Sequence, residues 1–164
     1  MRIFGLAGWS GSGKTTLLTA VIPELVARGL SVSTIKHAHH AFDIDQPGKD
    51  SWRHREAGAR EVMVASSRRW ALMRELRDAP EPALDELVGR MAAVDLLLIE
   101  GFKLHPHPKL EVHRPALGKP PLYPGDPHIV AIACDVPLDA PLPLLPLNDA
   151  GAVVRFIVGH TGLG

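Results

Sequence analysis

The stretch GWSGSGKT at residues 8–15 fits the phosphate-binding pattern G-x-x-x-x-G-K-[ST] at every constrained position. Glycines at this spacing let the backbone curl so that successive N–H groups point into one anion-sized hollow. Lys14 is then expected to contact the β- and γ-phosphates of a nucleoside triphosphate, and the Thr15 hydroxyl to bind magnesium. The residues predicted to bind the nucleotide here are Gly8, Ser10, Gly11, Ser12, Gly13, Lys14, Thr15 and Thr16.

The segments on either side of this loop support the same interpretation. Residues 3–7 form a short apolar run, and residues 16–27 carry apolar side chains at helical spacing. A strand, a glycine-rich loop and a helix N-terminus form the arrangement that phosphate binding needs, because the helix dipole favours negative charge at that end. The pattern therefore predicts a phosphate loop between a first strand and a first helix.

The rest of the chain alternates between strand and helix patterns. This alternation predicts an α/β fold, a three-layer P-loop domain with a mostly parallel central sheet. At 164 residues, one domain over residues 1–164 is expected. Further strands are predicted at residues 30–36, 61–65, 70–73, 96–99, 110–113 and 129–133, and further helices at residues 51–58, 82–93 and 150–158.

Proline distribution sets one segment apart. Eleven of the 15 prolines fall between Pro106 and Pro146. Proline removes a backbone donor and breaks helices, so residues 105–146 are expected to be rich in loops between short strands.

Composition narrows the classes of partner and compartment. The chain has 18 basic and 18 acidic residues, so net charge favours neither nucleic acid nor an anionic membrane. The single cysteine, Cys134, excludes an internal disulfide and fits a reducing compartment. The N-terminal apolar run ends at Gly8, and no run approaches the length of a membrane span. We therefore expect a cytoplasmic protein that binds neither nucleic acid nor membrane.

Residues 95–101, DLLLIEG, form a second motif. Four apolar residues followed by an acid are typical of the buried strand that supplies a magnesium-facing carboxylate in P-loop proteins. Glu100 is therefore a predicted metal ligand and, with Lys14, a candidate catalytic residue. The alternative is a plain carboxylate at a strand end.

Residues 129–135, IVAIACD, repeat the pattern of a strand followed by an acid. Asp135 is predicted to accept hydrogen bonds from guanine N1–H and the exocyclic amine, an arrangement that adenine does not supply. A turn-capping role for Asp135 is the alternative. Cys134 is expected to be a small buried apolar residue.

Residues 36–50 combine histidines with acids. Three interpretations of the histidine segment stay open: contacts to substrate or nucleotide, metal ligation, and a solvated loop. Asp50 begins a polar helix and is predicted either to cap that helix or to bind magnesium. Further along the chain, Trp70 is expected to pack in the core. The candidate substrate contacts are Lys36, His37, His39, His40 and Lys103.

Together these stretches resemble the MobB family, the small P-loop proteins named as protein B of molybdopterin-guanine dinucleotide biosynthesis. The resemblance covers nearly the whole chain, although the family usually has serine where this chain has Cys134. It rests on the stretches WSG at 9–11, IKHAHH at 35–40, DID at 43–45, PGKDS at 47–51, AGA at 57–59, VAS at 64–66, RWALM at 69–73, LLIEGFK at 97–103 and IACDVPL at 132–138.

The resemblance implies a homodimer that binds GTP and magnesium and hydrolyses GTP slowly at most. It also implies association with the guanylyltransferase that joins GMP to molybdopterin, and it leaves direct contact with molybdopterin open. The leading hypothesis is thus an adapter in molybdenum cofactor biosynthesis. Two alternatives use the same loop: a small-molecule kinase, and a metal-delivery GTPase with the histidines as ligands.

Overall fold

A six-stranded parallel sheet in the order β2-β5-β1-β6-β7-β8 lies at the centre of the computed structural model, which describes residues 1–38 and 42–164. The predicted α/β fold with a mostly parallel central sheet is confirmed. Its strands are β1 (Arg2–Ala7), β2 (Val32–Lys36), β5 (Leu96–Glu100), β6 (Lys109–His113), β7 (Ile129–Cys134) and β8 (Leu144–Pro146). The α-helices in the described part of the chain are α1 (Lys14–Ala27), α2 (Asp50–Glu56), α3 (Leu84–Val88) and α4 (Ala150–Thr161).

Contacts within the chain divide it into two compact units. The first consists of Met1–His37 with Val88–Gly164 and contains the parallel sheet. The second, Ala38–Leu87, contains α2 and an antiparallel hairpin of β3 (Glu61–Ala65) and β4 (Trp70–Arg74). The single domain expected over residues 1–164 stays a prediction.

The core of the first unit lies between the sheet and two helices. Apolar side chains of α1 and α4 pack against one face of β1, β5, β6 and β7. Leu96, Leu98 and Leu110 in these strands have no accessible surface. Strands buried in this way carry continuous apolar runs, which explains why residues 96–99 were recognisable as a central strand.

The proline-rich segment covers the opposite face of β6. Lys109 and Glu111 alternate with Leu110 and therefore point away from the helices, and both are fully buried. The Glu111 carboxylate accepts hydrogen bonds from the N–H groups of Leu122 and Tyr123 at 2.8 and 2.9 Å. A buried charge needs hydrogen-bond partners, so the bonds to Glu111 hold the loop that follows β6 against this face of the sheet.

The structure corrects three expectations and adds one strand. The helix expected at residues 82–93 ends at Val88, directly before Gly89, which has low helix propensity. The strand β8 went unnoticed because it contains a proline, which an edge strand tolerates. Trp70 is 68% exposed on the hairpin, so its predicted core position is wrong. Lys49, not Asp50, takes the N-cap position of α2.

In the second unit, α2 is attached to its surroundings by Arg55. The guanidinium forms ion pairs with Asp43 at 2.7 Å, with Asp45 at 3.3 Å and with Glu75 at 3.3 Å. The hydrogen bond from Arg55 lowers the pKa of Asp43 below its ordinary value. Arg55 therefore has a structural role within this unit.

Candidate nucleotide-binding site

The loop between β1 and α1 has a backbone that only glycine adopts at several positions. Gly8 has φ +148°, and a Cβ atom there would lie 2.5 Å from the carbonyl oxygen of Val112. Gly13 has φ +101° and forms the N-cap of α1 in a left-handed conformation. These glycines turn the chain sharply at the C-terminal edge of the sheet, where α/β folds bind ligands. The predicted phosphate loop therefore lies between the C-terminal end of β1 and the N-terminus of α1.

Lys14 folds back over this loop. Its ammonium group donates hydrogen bonds to the carbonyl oxygens of Gly8 at 3.0 Å and Trp9 at 2.9 Å. Burial lowers the pKa of Lys14 below its ordinary value, while the charge of Glu100 opposes this shift. A partly buried ammonium next to a hollow of backbone N–H groups favours an anionic ligand.

Glu100 lies at the end of β5, opposite Leu6 of β1 and Lys36 of β2 in the strand register. Its carboxylate accepts a hydrogen bond from the Thr15 hydroxyl at 2.7 Å. The Lys36 ammonium lies 3.5 Å from the same carboxylate oxygen and 3.4 Å from the Thr15 hydroxyl oxygen. Parallel pairing thus brings together three residues that are far apart in the sequence.

The pair of Thr15 and Glu100 fits magnesium by its chemistry. Magnesium prefers oxygen ligands and is usually bound by one or two carboxylates together with phosphates and water. Within residues 1–38 and 42–164, no three His, Cys, Asp or Glu side chains lie close enough together to hold a metal ion. A magnesium ion at this site would therefore take further ligands from a bound triphosphate.

His37 and Phe102 border the acidic side of the site. Their rings stack with centroids 4.5 Å apart. The backbone N–H of His37 donates to the backbone carbonyl oxygen of Glu100 at 2.8 Å. Between Glu100 and Phe102, Gly101 has φ +102°, and a Cβ there would lie 2.7 Å from the Cβ of His37. The close approach of these two segments requires glycine at this position.

Lys103 lies near the phosphate loop through Trp9. Its ammonium group is 4.7 Å from the centroid of the Trp9 ring, a cation–π distance. The Trp9 indole N–H also donates to the carbonyl oxygen of Pro120 at 2.7 Å, which connects the loop to the proline-rich segment. Of the predicted phosphate-loop residues, Ser10, Gly11, Thr15 and Thr16 are exposed, and the Ser12 side chain is buried.

On the other side of the phosphate loop, Asp135 follows β7 and is paired with Arg114. The Arg114 guanidinium donates from Nη1 to Asp135 Oδ2 at 2.9 Å and from Nε to the carbonyl oxygen of Ser12 at 3.2 Å. Sequence reasoning missed Arg114. Its position directly after β6, beside the strand that precedes the loop, was the available signal.

A cavity of about 190 Å³ lies next to this group, between α1 and the turn from β8 to α4. Thr16 and Leu17 of α1 line one side, and Leu147 and Asn148 line the other. Arg114 also contributes to the lining. Phosphate loop, Asp135 and cavity thus lie along one edge of the sheet.

The predicted roles of His39, His40 and Asp50 stay predictions. His39 and His40 lie outside the described residues. Asp50 belongs to the second compact unit, where it is the first residue of α2, so its contact with magnesium stays a prediction. Cys134 is buried and free, as expected.

Comparison with known proteins decides the family. The family model described as MobB, Molybdopterin guanine dinucleotide synthesis protein B, matches residues 3–135 of the chain. This chain belongs to the MobB family.

Two curated relatives of the MobB-family chain are called molybdopterin-guanine dinucleotide biosynthesis adapter protein. The one from Escherichia coli (strain K12) is 45% identical over 159 residues, which span 95% of this chain and 91% of that protein. The one from Haemophilus influenzae is 45% identical over 158 residues, which span 94% of this chain and 86% of that protein. The chain therefore corresponds to nearly the full length of both proteins.

A solved structure supports the same assignment. The crystal structure described as molybdopterin-guanine biosynthesis protein B (MobB) is similar to the MobB-family chain with a TM-score of 0.75 at 27% identity. The similarity covers 96% of this chain and 99% of that one. The predicted P-loop-type fold is therefore confirmed.

Proposed function

We propose that this chain binds GTP and magnesium and acts as an adapter in molybdopterin guanine dinucleotide biosynthesis. The observation that carries the proposal is the 2.7 Å pair of Thr15 and Glu100 at a phosphate loop that contains Lys14. This arrangement suits a magnesium-bound triphosphate. The 45% identity to two adapter proteins over almost the whole chain supports the pathway.

Lys14 and Lys36 are assigned to different parts of the triphosphate. Lys14 donates to loop carbonyls, and we assign its ammonium group to the β- and γ-phosphates. Lys36 lies at the end of the loop where Thr15 and Glu100 meet, so we assign it to the terminal phosphate. When bound, magnesium neutralises phosphate charge and orients the phosphate oxygens. Together with His37 and Lys103, Lys36 borders the open side of the site, where we propose that substrate binds.

We assign guanine recognition to Asp135. A carboxylate in this position accepts two hydrogen bonds from guanine, whereas adenine offers no matching pair of donors. The cavity lined by Arg114, the ion-pair partner of Asp135, has room for one end of a nucleotide. Hydrolysis is expected to be slow at most, because GTPases that hydrolyse well use a water-positioning glutamine and an arginine finger, and no residue of this sequence can be clearly assigned to either role.

The hairpin of the second unit supports the proposed homodimer. Met63 and Leu72 lie opposite each other on one face, next to the pair of Ala65 and Trp70. Met63 is 61% exposed and Trp70 is 68% exposed. A two-stranded sheet is marginal alone, and an exposed apolar patch marks an interaction surface. Glu61 and Arg74 end the same face as an ion pair, which complements itself across a two-fold axis.

The partner proposed for the GTP-bound homodimer is the guanylyltransferase that joins GMP to molybdopterin. Direct contact with molybdopterin belongs to the same proposal, through the open side of the site at Lys36 and Lys103. Among the described residues, no helix is long and apolar enough to span a bilayer. The free thiol of Cys134 fits the reducing cytoplasm, where we expect this protein to act.

Calorimetric titration with GTP and ATP, each with and without magnesium, tests the proposal. We expect magnesium-dependent binding with a preference for GTP, and a complex with the guanylyltransferase in a pull-down when GTP is present. Lys14→Ala is expected to abolish triphosphate binding without unfolding the chain, as checked by circular dichroism. Equal or tighter binding of ATP, with phosphate transfer to an added acceptor, would favour a small-molecule kinase.

A further inference from the structure

Arg114 connects the phosphate loop to the residue assigned to the base. Its Nε donates to the carbonyl oxygen of Ser12 at 3.2 Å, and its Nη1 donates to Asp135 Oδ2 at 2.9 Å. The guanidinium is planar, so two of its N–H groups serve these two partners at a fixed relative angle. A carboxylate held in this way has its second oxygen in a defined direction with respect to the loop.

The same guanidinium borders the cavity between α1 and the β8–α4 turn. A Cβ atom placed on Gly13 would lie 3.6 Å from Arg114 Nη2, so the guanidinium is in contact with the start of α1. Across the cavity, Leu147 is buried and Asn148 is exposed. The volume of about 190 Å³ is smaller than the roughly 300–1,000 Å³ of a pocket for a whole ligand. The cavity therefore suits a flat part of a ligand whose phosphates lie in the loop.

We propose that Arg114, which lines this cavity, is a positioning residue for purine specificity that fixes the direction of the Asp135 carboxylate. The inference rests on the proposed function, since it assumes a nucleotide in the loop. Arg114 acts through Asp135: without the guanidinium, the carboxylate turns toward solvent and presents its oxygens to guanine in many orientations. Lys14 and Thr15 are hydrogen-bonded to Gly8, Trp9 and Glu100, so we expect their contacts with phosphate to be retained without the guanidinium.

An effect of Arg114 on purine specificity has a competing explanation, which is that its ion pair with Asp135 stabilises the fold. The side chains of Arg114 and Asp135 are 37% and 21% exposed, and pairs of this kind contribute little to folding. Removing the guanidinium is therefore expected to leave the fold intact. An effect on base discrimination would in that case come from orientation rather than from loss of structure.

The experiment compares Arg114→Met with the wild-type protein by calorimetric titration with the magnesium complexes of GTP, ATP and ITP, which lacks the exocyclic amine of guanine. Wild type is expected to prefer GTP over both. In Arg114→Met we expect the ratio of ATP to GTP dissociation constants to fall by about tenfold, and ITP to bind about as well as GTP. The ATP dissociation constant is expected to stay within about twofold.

Two further variants show whether Arg114 acts through Asp135. Asp135→Asn is expected to lower the same ratio, and Arg114→Met added to Asp135→Asn is expected to lower it no further. Arg114→Lys keeps the charge but cannot serve both partners, so an intermediate ratio is expected. Arg155→Met, which removes an exposed ion pair with Asp149 in the same compact unit, is the matched control and is expected to bind like wild type.

The possible outcomes separate the role of Arg114 from the proposed binding of GTP. A wild-type preference for GTP that survives in Arg114→Met overturns the role of Arg114 and leaves the proposed function standing. An equal loss of GTP and ATP affinity also overturns it, because the guanidinium would then act on the phosphate loop. Absence of any GTP preference in wild type overturns the guanine assignment itself. If Arg114→Met unfolds at a lower temperature than the assay allows, the Arg114→Lys ratio gives the same decision.

Discussion

Replacing Glu100 by glutamine separates the charge of this side chain from its shape. The carboxylate accepts the Thr15 hydroxyl at 2.7 Å and lies 3.5 Å from the Lys36 ammonium. Glutamine keeps an oxygen that accepts from Thr15 but has no charge for magnesium or for Lys36. The variant therefore tests whether the negative charge at the end of β5 binds the metal ion or has no role in metal binding.

The expected effect on folding is small. A hydrogen bond to a charged group contributes about 1.5–3 kcal/mol and a neutral one about 1 kcal/mol. The pair with Lys36, whose side chain is 59% exposed, contributes under about 1 kcal/mol after solvent screening. The net loss is thus about 0.5–3 kcal/mol, which a domain stable by about 5–15 kcal/mol tolerates.

The expected effect on binding is larger and depends on magnesium. We expect the gain in GTP affinity on adding magnesium to fall by at least about tenfold in Glu100→Gln, which is about 1.4 kcal/mol. Affinity measured without magnesium should stay within about twofold of wild type. Calorimetric titration with and without magnesium measures both quantities. Asp95→Asn, at the opposite end of the same strand, is the control.

A full magnesium-dependent gain in Glu100→Gln would refute this reasoning. Glu100 would then be a carboxylate that only completes the strand end and positions Thr15. A parallel loss in Asp95→Asn would point to a general weakening of the sheet, because the Asp95 carboxylate accepts hydrogen bonds from the hydroxyl and the backbone N–H of Ser31, at 2.6 and 2.8 Å, away from the phosphate loop.

Three further predictions concern other parts of the molecule. Lys36→Met is expected to weaken GTP binding by about tenfold and GDP binding by less than about twofold, measured by titration, because its ammonium lies at the terminal-phosphate end; equal losses would contradict this assignment. Burial, and next the charge of Lys109, lower the pKa of His107 from 6.5 to about 4. Its folded pKa is depressed, so the unfolded chain takes up a proton first, and urea unfolding should show about 2 kcal/mol less stability at pH 5 than above pH 6.5. His107→Gln should flatten that slope, and an unchanged slope would exclude His107 as its source. Trp70→Asp is expected to shift the protein from dimer to monomer in analytical ultracentrifugation, and an unchanged mass would place the dimer contact elsewhere.

Local sequence patterns are sufficient to predict the elements that have strong periodicity or contain a motif. The phosphate loop, the central strand that ends at Glu100 and the final helix were all predicted within a few residues. Their signals are short in sequence: an apolar run, a glycine spacing, an amphipathic repeat. The sequence also indicated the MobB family, since an ordered set of stretches along the whole chain carries that information.

Tertiary structure decided which of these residues meet. Lys36, Thr15 and Glu100 come together because β2, β5 and β1 are neighbours in the sheet, an order that differs from their order in the chain. An aromatic side chain predicts a core position for Trp70, yet this residue lies on the hairpin of β3 and β4 and is 68% exposed.

By itself the sequence determined the phosphate loop, its lysine and threonine, and the acids after two apolar strands, because backbone curvature and strand burial are local consequences of residue type. Only the tertiary structure decided that Arg114 connects Ser12 to Asp135, at separations of 102 and 21 residues. No local pattern encodes such a contact. It arises because parallel strands align their carboxyl ends, so side chains from distant loops converge at one edge of the sheet.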